Sequence, residues 1–250
     1  AGKTDDARAM LPALYKAVIS FAGPASIFST VSVDLDEIFK NQQGIEIIKG
    51  NLSDVFPRTN SARLSKLTGR NFEYDYLVLA LGSKPNFESV PGSGGNALPL
   101  TTYEDALKIR HNLEELIKNK PKRRDAEIII IGGGFVGCEL AASLAEFGKV
   151  LAKSVSQPKE SVKISLIEER DKLMASAGDW ISGNTEKRLR QLGIELLLKK
   201  PAGVVKRGEI IFTDGSSKNY DILIWAGGSK STESLFRNRK KCGVSDFLNF

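Results

Sequence analysis

The chain has 250 residues, of which 41% are hydrophobic and 26% are charged, so it corresponds to one or two globular domains. No apolar run reaches the roughly 18 residues of a membrane-spanning helix, and one histidine and two cysteines outside any CxxC pattern argue against a disulfide framework, a metal site and a Ser-His-Asp hydrolase. The net charge of +6 favours anionic ligands but is too small to indicate a dedicated nucleic-acid-binding protein.

A pattern in the first half of the chain returns in the second half. In the first copy, residues 44–47 are followed by a polar stretch and then by residues 74–84. In the second copy, residues 193–196 are followed by a polar stretch and then by residues 220–230. Each copy predicts a short strand, a hairpin-like region and a buried strand that ends in small residues. We therefore expect two related domains.

A helix is predicted between the two copies, over residues 103–117, because apolar residues recur at the spacing of helical turns. Pro121 ends this helix. The basic polar stretch 118–125 is interpreted as a solvated linker, and we place a domain boundary there. The apolar positions that define the helix are Leu107, Leu113, Leu116 and Ile117.

After the linker, residues 127–131 form a β-branched run without alternation, which is typical of a strand buried on both faces of a parallel sheet. A glycine-rich turn leads into a helix predicted over 138–147, with Gly148 as its C-cap. A polar loop is predicted over 151–161.

Residues 162–167 then predict a second strand, and residues from about 184 to 192 a second helix. Strand, helix, strand, helix and strand in this order indicate an α/β fold with a doubly wound sheet.

The turn contains a GxGxxG pattern made by Gly132, Gly134 and Gly137. Between a buried strand and a helix, this is the fingerprint of a dinucleotide-binding site. The first glycine allows the tight turn, the second lets a diphosphate approach the backbone, and the third lets helix and strand pack closely. The helix N-terminus adds a positive dipole end. The remaining candidate cofactor-binding residues of the turn are Gly133, Phe135 and Val136.

Glu168 directly follows the second predicted strand. A carboxylate there accepts hydrogen bonds from the adenosine ribose and repels a 2′-phosphate, which favours NAD(H) over NADP(H). Glu168 lies 31 residues after Gly137, where about 20 is usual, and the polar loop accounts for the excess. Arg170 is suited to accommodate a 2′-phosphate, so the second coenzyme stays open.

Two further residues at the start of the predicted helix carry alternative interpretations. Glu139 is either a carboxylate favoured by the helix dipole or a catalytic carboxylate near the nicotinamide. Cys138 is interpreted as a small buried residue rather than a redox thiol. His111 is expected on a solvated helix face.

Four stretches resemble the pyridine nucleotide-disulfide oxidoreductase superfamily of flavoprotein reductases, and within it the type II NADH dehydrogenases (NADH:quinone oxidoreductases). They are residues 11–15 with 33–39, residues 74–85 with 90–92, residues 131–142, and residues 220–229. The resemblance implies two related Rossmann-like, three-layer dinucleotide-binding domains. It also implies hydride transfer from NADH to FAD and electron transfer to a quinone or another acceptor.

Further site residues follow from the same resemblance. Gly82 would lie beside FAD and Gly227 near NAD(H), each within a strand-end motif of small residues. Leu52 would meet the flavin's adenine with its backbone. The other strand-end positions implied in this way are Ala80, Leu81 and Ala226. The resemblance further implies a partial FAD-binding domain over 1–119, an NAD(H)-binding Rossmann domain over 120–226, and a return towards the FAD-binding domain over 227–250.

The sequence also departs from the family. The family has a GxGxxG motif for FAD and a Gly-Asp motif after the second strand-end motif. Neither motif has a counterpart in this sequence. The first domain is therefore expected to be incomplete, and either the chain corresponds to the middle of such a protein or it has lost flavin binding. The alternative function is thus a non-catalytic NAD(H)-binding module. A third hypothesis, a basic surface-binding protein acting through residues 118–124 and 237–241, is disfavoured, and no nucleic-acid partner is expected.

No secretory signal is recognised, and the cysteine usage fits a reducing compartment. We therefore expect a cytoplasmic protein, with peripheral membrane association of the parent protein compatible with the resemblance. The sequence contains no information on the oligomeric state.

Overall fold

The computed structural model of the chain describes residues 35–65, 71–119, 124–154 and 162–232. Of these, 85–229 form one compact unit, here the larger unit, and 35–84 with 230–232 form a second, the smaller unit. Several segments discussed above lie outside the described residues: 11–15, 120–123, 155–161 and 237–241. No helix in the described ranges is long and apolar enough to cross a membrane.

The smaller unit contains a short helix and an antiparallel meander. Helix α1 covers Leu35–Phe39. Strands β1, β2 and β3 pair antiparallel in chain order. A turn of 3-10 helix at Pro57–Thr59 joins the first two, and Asn60 completes it with a φ of 45°, a conformation that asparagine tolerates well. The strands of this unit are β1 (Asn51–Phe56), β2 (Ser61–Ser65), β3 (Asn71–Glu73) and β4 (Ser83–Pro85). The last residue of β4, Pro85, is the first residue of the larger unit.

The larger unit is built on a five-stranded parallel sheet, flanked by helices and by a second, antiparallel sheet. Its helices are α2 (Ser93–Asn96), α3 (Tyr103–Asn119), α4 (Phe135–Ser154) and α5 (Asp179–Gln191). Its strands are β5 (Leu98–Pro99), β6 (Ala126–Ile131), β7 (Val162–Ile167), β8 (Glu195–Leu197), β9 (Ala202–Lys206), β10 (Glu209–Phe212), β11 (Ser217–Asn219) and β12 (Ile222–Trp225). The last strand, β13 (Ser229–Ser231), begins at the final residue of this unit and continues into the smaller unit.

The parallel sheet has the order β5-β12-β6-β7-β8, and the antiparallel sheet the order β11-β10-β9. The antiparallel sheet β9–β11 of the larger unit corresponds to the meander β1–β3 of the smaller unit, so both copies of the repeat contain three antiparallel strands. This confirms the hairpin-like region of the repeat.

The run of isoleucines in β6 explains the three layers. Successive strand side chains point to opposite faces of a sheet, so Ile128 and Ile130 pack with the helices while Ile129 and Ile131 pack with the antiparallel sheet. Fully burying one such side chain contributes about 1.5–3 kcal/mol, so a continuous β-branched run suits only a strand covered on both sides. The residues that meet β6 include Ile109, Leu113, Leu140 and Leu144 from the helices and Val205, Ile210 and Phe212 from the antiparallel sheet.

The α/β fold class is therefore confirmed in the larger unit, and β7 has the bounds that the sequence predicts. Helix α3 also occurs as predicted, with Ile109, Leu113 and Ile117 buried on one face. Strand β5 belongs to the same parallel sheet as β6, and α3 packs against that sheet. The domain boundaries 1–119, 120–226 and 227–250 stay a prediction about the whole protein.

Two predicted strands of the first repeat copy are absent. Residues 44–47 and 74–81 have no strand conformation, and the side chains of Tyr76 and Val78 are 93% and 75% exposed. In the second copy, β12 has parallel neighbours on both sides. Within the described ranges no strand pairs with residues 74–81, and a lone strand has no partner for its backbone hydrogen bonds.

The helix boundaries required three corrections. Helix α4 begins at Phe135 and continues through Gly148 to Ser154, so Gly148 is not a C-cap and residues 151–154 are not loop. A Cβ at Gly148 would lie 3.3 Å from the Val162 side chain, so this glycine allows close packing of helix on strand. Helix α5 begins at Asp179 rather than near residue 184, after Gly178 with a φ of 88°.

Candidate functional site

A cavity of about 470 Å³ lies at the carboxyl ends of three parallel strands of the larger unit. Ile131, Ile167 and Trp225, the last residues of β6, β7 and β12, all contribute to its wall. The glycine turn and the start of α4 form another part of the wall. Ligands of open α/β sheets bind in this position, where the strand order changes direction.

The glycine turn is held tightly against the strand ends. Gly132 donates a 2.8 Å backbone hydrogen bond to the Ile167 carbonyl and has a φ of 111°. A Cβ there would lie 2.3 Å from the Ala226 carbonyl oxygen, and a Cβ at Gly137 would lie 1.9 Å from that of Gly132. Both positions therefore exclude any side chain, as the tight turn predicted at Gly132 and the close helix–strand packing predicted at Gly137 require.

Gly134 is different, because a Cβ built there would have no atom within 4 Å. It is exposed and lines the cavity together with Phe135 at the first position of α4. The first N–H groups of a helix have no partner within the helix, and they carry the positive end of its dipole. The turn thus presents an open, anion-favouring surface at Gly134.

Glu168 fastens the turn from the neighbouring strand. One carboxylate oxygen accepts a 2.7 Å hydrogen bond from the Gly133 amide, and the other accepts a 2.9 Å bond from the Arg170 amide. Gly133 also accepts a 2.9 Å bond from the Met174 amide, and a Cβ on it would lie 2.5 Å from Leu173. Gly133 is therefore clamped between two loops, a role that the GxGxxG spacing does not indicate.

Three cationic side chains, from Arg170, Lys172 and Lys200, contribute to the wall. Lys172 pairs with Asp179 at 2.6 Å. Sequence reasoning missed both lysines, because they reach the same cavity only through the pairing of β7 with β8, which brings the ends of these strands together.

Lys200 is held in place by its neighbours on the wall. Its ammonium pairs with Asp214, donates to the Ser216 hydroxyl at 2.8 Å, and lies 5.0 Å from the Phe212 ring centre. The Lys200 ammonium, with the Ser216 hydroxyl and amide, holds the pKa of the Asp214 carboxyl well below its usual range. The Asp214 carboxyl therefore stays ionised beside Lys200 to a lower pH than an ordinary aspartate would.

The end of β12 supplies the opposite wall. The Ala226 amide donates to the Ile131 carbonyl at 2.7 Å, which fixes the strand end beside the turn. Gly227 lines the cavity, and a Cβ there would lie 3.0 Å from the Trp225 ring. The Trp225 indole N–H donates to the Gly228 carbonyl at 3.0 Å. Small residues are thus required where the chain leaves the sheet.

The structure brings together most of the predicted cofactor-binding residues of the larger unit. Glu139 is exposed and is not part of the cavity wall. The cavity-lining residues among the predicted set are Gly132, Gly133, Gly134, Phe135, Glu168, Ala226 and Gly227, with Val136 and Gly137 following in the first turn of α4.

Four predicted residues belong to the smaller unit instead. Leu52 lies in β1 opposite Leu64, and Gly82 has a φ of 69° and accepts a 3.1 Å hydrogen bond from the Thr232 amide. Ala80 is exposed and Leu81 is half-buried.

Cys138 is expected to resist thiol reagents in the folded protein. Its side chain is 2% exposed and donates a 3.4 Å hydrogen bond to the Gly133 carbonyl. Burial, with the nearby charge of Glu168, raises the pKa of this thiol to about 12, and the thiolate is the reactive form. In a Cys242→Ser variant, a chromogenic disulfide reagent at neutral pH should label nothing until denaturant is added. Rapid labelling of the folded variant would contradict this placement.

Comparison with known proteins identifies a family and several relatives. The pyridine nucleotide-disulphide oxidoreductase family matches residues 6–246. The external alternative NAD(P)H-ubiquinone oxidoreductase B4 of Arabidopsis thaliana mitochondria is 26% identical over 204 residues, covering 76% of this chain and 35% of that protein. The type II NADH:quinone oxidoreductase of Haemophilus influenzae is 26% identical over 183 residues, covering 65% and 41%. The chain thus spans between 35% and 41% of the length of these relatives.

Among solved structures, NDH2 from Plasmodium falciparum in complex with NADH has the same fold, with a TM-score of 0.74 and 23% sequence identity. The alignment covers 89% of this chain and 48% of that one. The resemblance deduced from the four sequence stretches is confirmed. The chain belongs to the pyridine nucleotide-disulphide oxidoreductase family.

Proposed function

We propose that the cavity at the glycine turn binds NADH and that the whole protein is an NADH-dependent oxidoreductase. The observation that carries this proposal is the contrast within the turn. Gly132 and Gly137 are enclosed by backbone atoms, whereas Gly134 faces open space on the cavity wall. A turn of this form lets a diphosphate reach the backbone amides. Relatives named as NADH or NAD(P)H oxidoreductases support the same ligand.

The sheet order suggests how the two halves of NADH extend from the turn. The turn follows β6, so β7 and β8 lie on one side and β12 and β5 on the other. We place the adenosine towards Glu168 at the end of β7, where a carboxylate suits ribose hydroxyls. The nicotinamide then extends towards Ala226 and Gly227, whose small side chains leave room for a ring. Glu139, near the nicotinamide in the predicted arrangement, stays a candidate catalytic residue.

For the whole protein we propose that FAD supplies the hydride-accepting chemistry and that a quinone or another acceptor takes the electrons. The proposed domains are the FAD-binding segments 1–119 and 227–250 around the NAD(H)-binding segment 120–226. Leu52, Ala80, Leu81 and Gly82 are the proposed flavin contacts. In the described part of the smaller unit, residues 76–81 form no strand, and Tyr76 and Val78 face solvent. No flavin step is therefore assigned to them. A cytoplasmic location, with peripheral membrane association, belongs to the same proposal.

NADH binding is testable through the tryptophans. The chain has two, Trp180, which is 80% exposed, and Trp225 on the cavity wall. In a Trp180→Phe variant the remaining fluorescence comes from Trp225, and titration with NADH should quench it saturably. Reduced nicotinamide mononucleotide, which lacks the adenosine, should quench it far more weakly. No quenching and no calorimetric heat with millimolar NADH would refute the proposed site.

A measurement of flavin uptake distinguishes the proposed oxidoreductase from the alternative function, a non-catalytic NAD(H)-binding module. The absorbance spectrum after incubation with FAD, followed by NADH-dependent reduction of a dye, should show a bound flavin that NADH bleaches. Saturable NADH binding with no flavin uptake would instead support the non-catalytic NAD(H)-binding module.

A further inference from the structure

We propose that Glu186 of α5 is a positioning residue for NADH, because its carboxylate holds the loop between β7 and α5 against the glycine turn. This loop, residues 168–178, is called the β7–α5 loop below. The proposal rests on the proposed function of the same cavity. No residue of α5 lines that cavity, so the helix would act on the coenzyme only through the loop.

The β7–α5 loop forms both a wall of the cavity and part of the clamp on Gly133. Met174, Ala175 and Ser176 line the cavity. The Met174 amide donates to the Gly133 carbonyl at 2.9 Å, and a Leu173 methyl group lies 2.5 Å from where a Cβ on Gly133 would be. A shift of this short stretch would therefore move the wall and release the turn at the same time.

The backbone at Met174 needs support from outside the loop. Its φ is 47°, a left-handed conformation that a residue with a long side chain rarely adopts. Such conformations persist only where the surrounding structure enforces them. Within the loop, the Ala177 amide donates to the Met174 carbonyl at 2.8 Å, which is one local bond of a single turn. The remaining support has to come from neighbouring elements.

Two adjacent side chains of α5 supply this support. Glu186 accepts a 3.3 Å hydrogen bond from the Leu173 amide, and the Thr185 hydroxyl donates to the Met174 sulfur at 3.6 Å. Leu173 is fully buried, and among the described residues its amide has no other acceptor. A buried N–H group that loses its acceptor keeps the whole cost of its desolvation. Glu186 is therefore the contact whose loss would move the loop.

The second oxygen of Glu186 has a different partner. It lies 3.6 Å from the Arg190 guanidinium, one turn further along α5. The Arg190 side chain is 54% exposed, and an exposed pair of this kind contributes little to stability. The role of Glu186 thus depends on the oxygen that faces Leu173 rather than on its charge. A glutamine would keep an acceptor in that place, whereas an aspartate would keep the charge but is one methylene shorter.

NADH titrations of the full chain, under conditions in which every variant is folded, test this role. Glu186→Ala should weaken NADH roughly tenfold, the loss expected when a hydrogen bond to a charged group is removed. Glu186→Asp should be weakened similarly, although it keeps the charge. Glu186→Gln should bind nearly as tightly as the unaltered chain. Arg190→Ala is the matched control, since it removes the ion pair but not the acceptor, and it should leave the affinity unchanged.

Hydrogen exchange without ligand locates the effect. In Glu186→Ala the Leu173 amide should exchange faster, whereas the amide of Leu189, which is buried in the same helix, should keep its rate. Unchanged NADH affinity in both Glu186→Ala and Glu186→Asp, or a Glu186→Gln variant as impaired as Glu186→Ala, would refute the positioning role and leave the NADH site standing. If the unaltered chain does not bind NADH, the proposed function fails and this inference fails with it.

Discussion

Replacing Gly137 with alanine is expected to destabilise the larger unit and to abolish NADH binding. The new Cβ would lie 1.9 Å from the Gly132 carbonyl oxygen, which is backbone and cannot rotate away as a side-chain end can. Either α4 or the glycine turn must shift, and overpacking of this kind costs about 3 kcal/mol. Denaturant unfolding followed by fluorescence measures the loss of stability, and an NADH titration of the folded fraction measures the loss of binding.

Gly134→Ala is the matched control, since it makes the same chemical change three residues earlier. No atom lies within 4 Å of the added methyl group, so we expect the free energy of unfolding to change by less than about 1 kcal/mol. NADH affinity should nevertheless fall, because the methyl group occupies the space through which a diphosphate reaches the backbone. If Gly134→Ala binds NADH as tightly as the unaltered chain, the diphosphate does not lie on this turn.

The elements around this turn could be predicted because their signals are local. The isoleucines of β6 alone require burial on both faces, and β7 has the bounds that its apolar run indicates. The roles of Gly132 and Gly137 follow from a spacing that one strand, one turn and one helix determine. Each of these signals depends on neighbours within a few residues, so no knowledge of the remaining chain was needed.

The parts that could not be predicted depend on partners far away in sequence. Residues 74–81 repeat the pattern of 220–227 closely, yet within the described ranges only the second copy has parallel neighbours, β5 and β6. A pattern predicts that a strand is able to form, whereas its neighbours decide whether it does. Gly148 likewise has the sequence signal of a C-cap, but its contact with Val162 of β7 explains it as a packing residue.

The same distinction applies within the site. The motif identifies the glycines, but the clamp on Gly133 comes from Glu168, Leu173 and Met174, which lie on a different strand and loop. Lys200 reaches the wall because β8 is the neighbour of β7. Such contacts follow from strand order, which the spacing of residues in the chain does not specify.

Removing the Glu168 carboxylate is expected to loosen the glycine turn even without any ligand. In Glu168→Ala, the amides of Gly133 and Arg170 lose a charged acceptor. A hydrogen bond to a charged group contributes about 1.5–3 kcal/mol. Because one of the two bonds is solvent-exposed, we expect the free energy of unfolding to fall by about 2 kcal/mol in total. Amide hydrogen exchange at Gly133 should accelerate, and NADH affinity should fall as well, since the ribose loses an acceptor.

Glu169→Ala distinguishes this clamp from a general effect of charge. Glu169 is the adjacent carboxylate, lines the same cavity and is exposed, so its removal changes the local charge by the same amount without releasing the turn. It should leave both the unfolding free energy and the exchange rate at Gly133 close to those of the unaltered chain. Glu168→Gln, which keeps a carbonyl oxygen able to accept from Gly133, should fall between the two. Equal effects of Glu168→Ala and Glu169→Ala would mean that Glu168 acts only through its charge and that the turn is held by the strand ends and the Met174 amide alone.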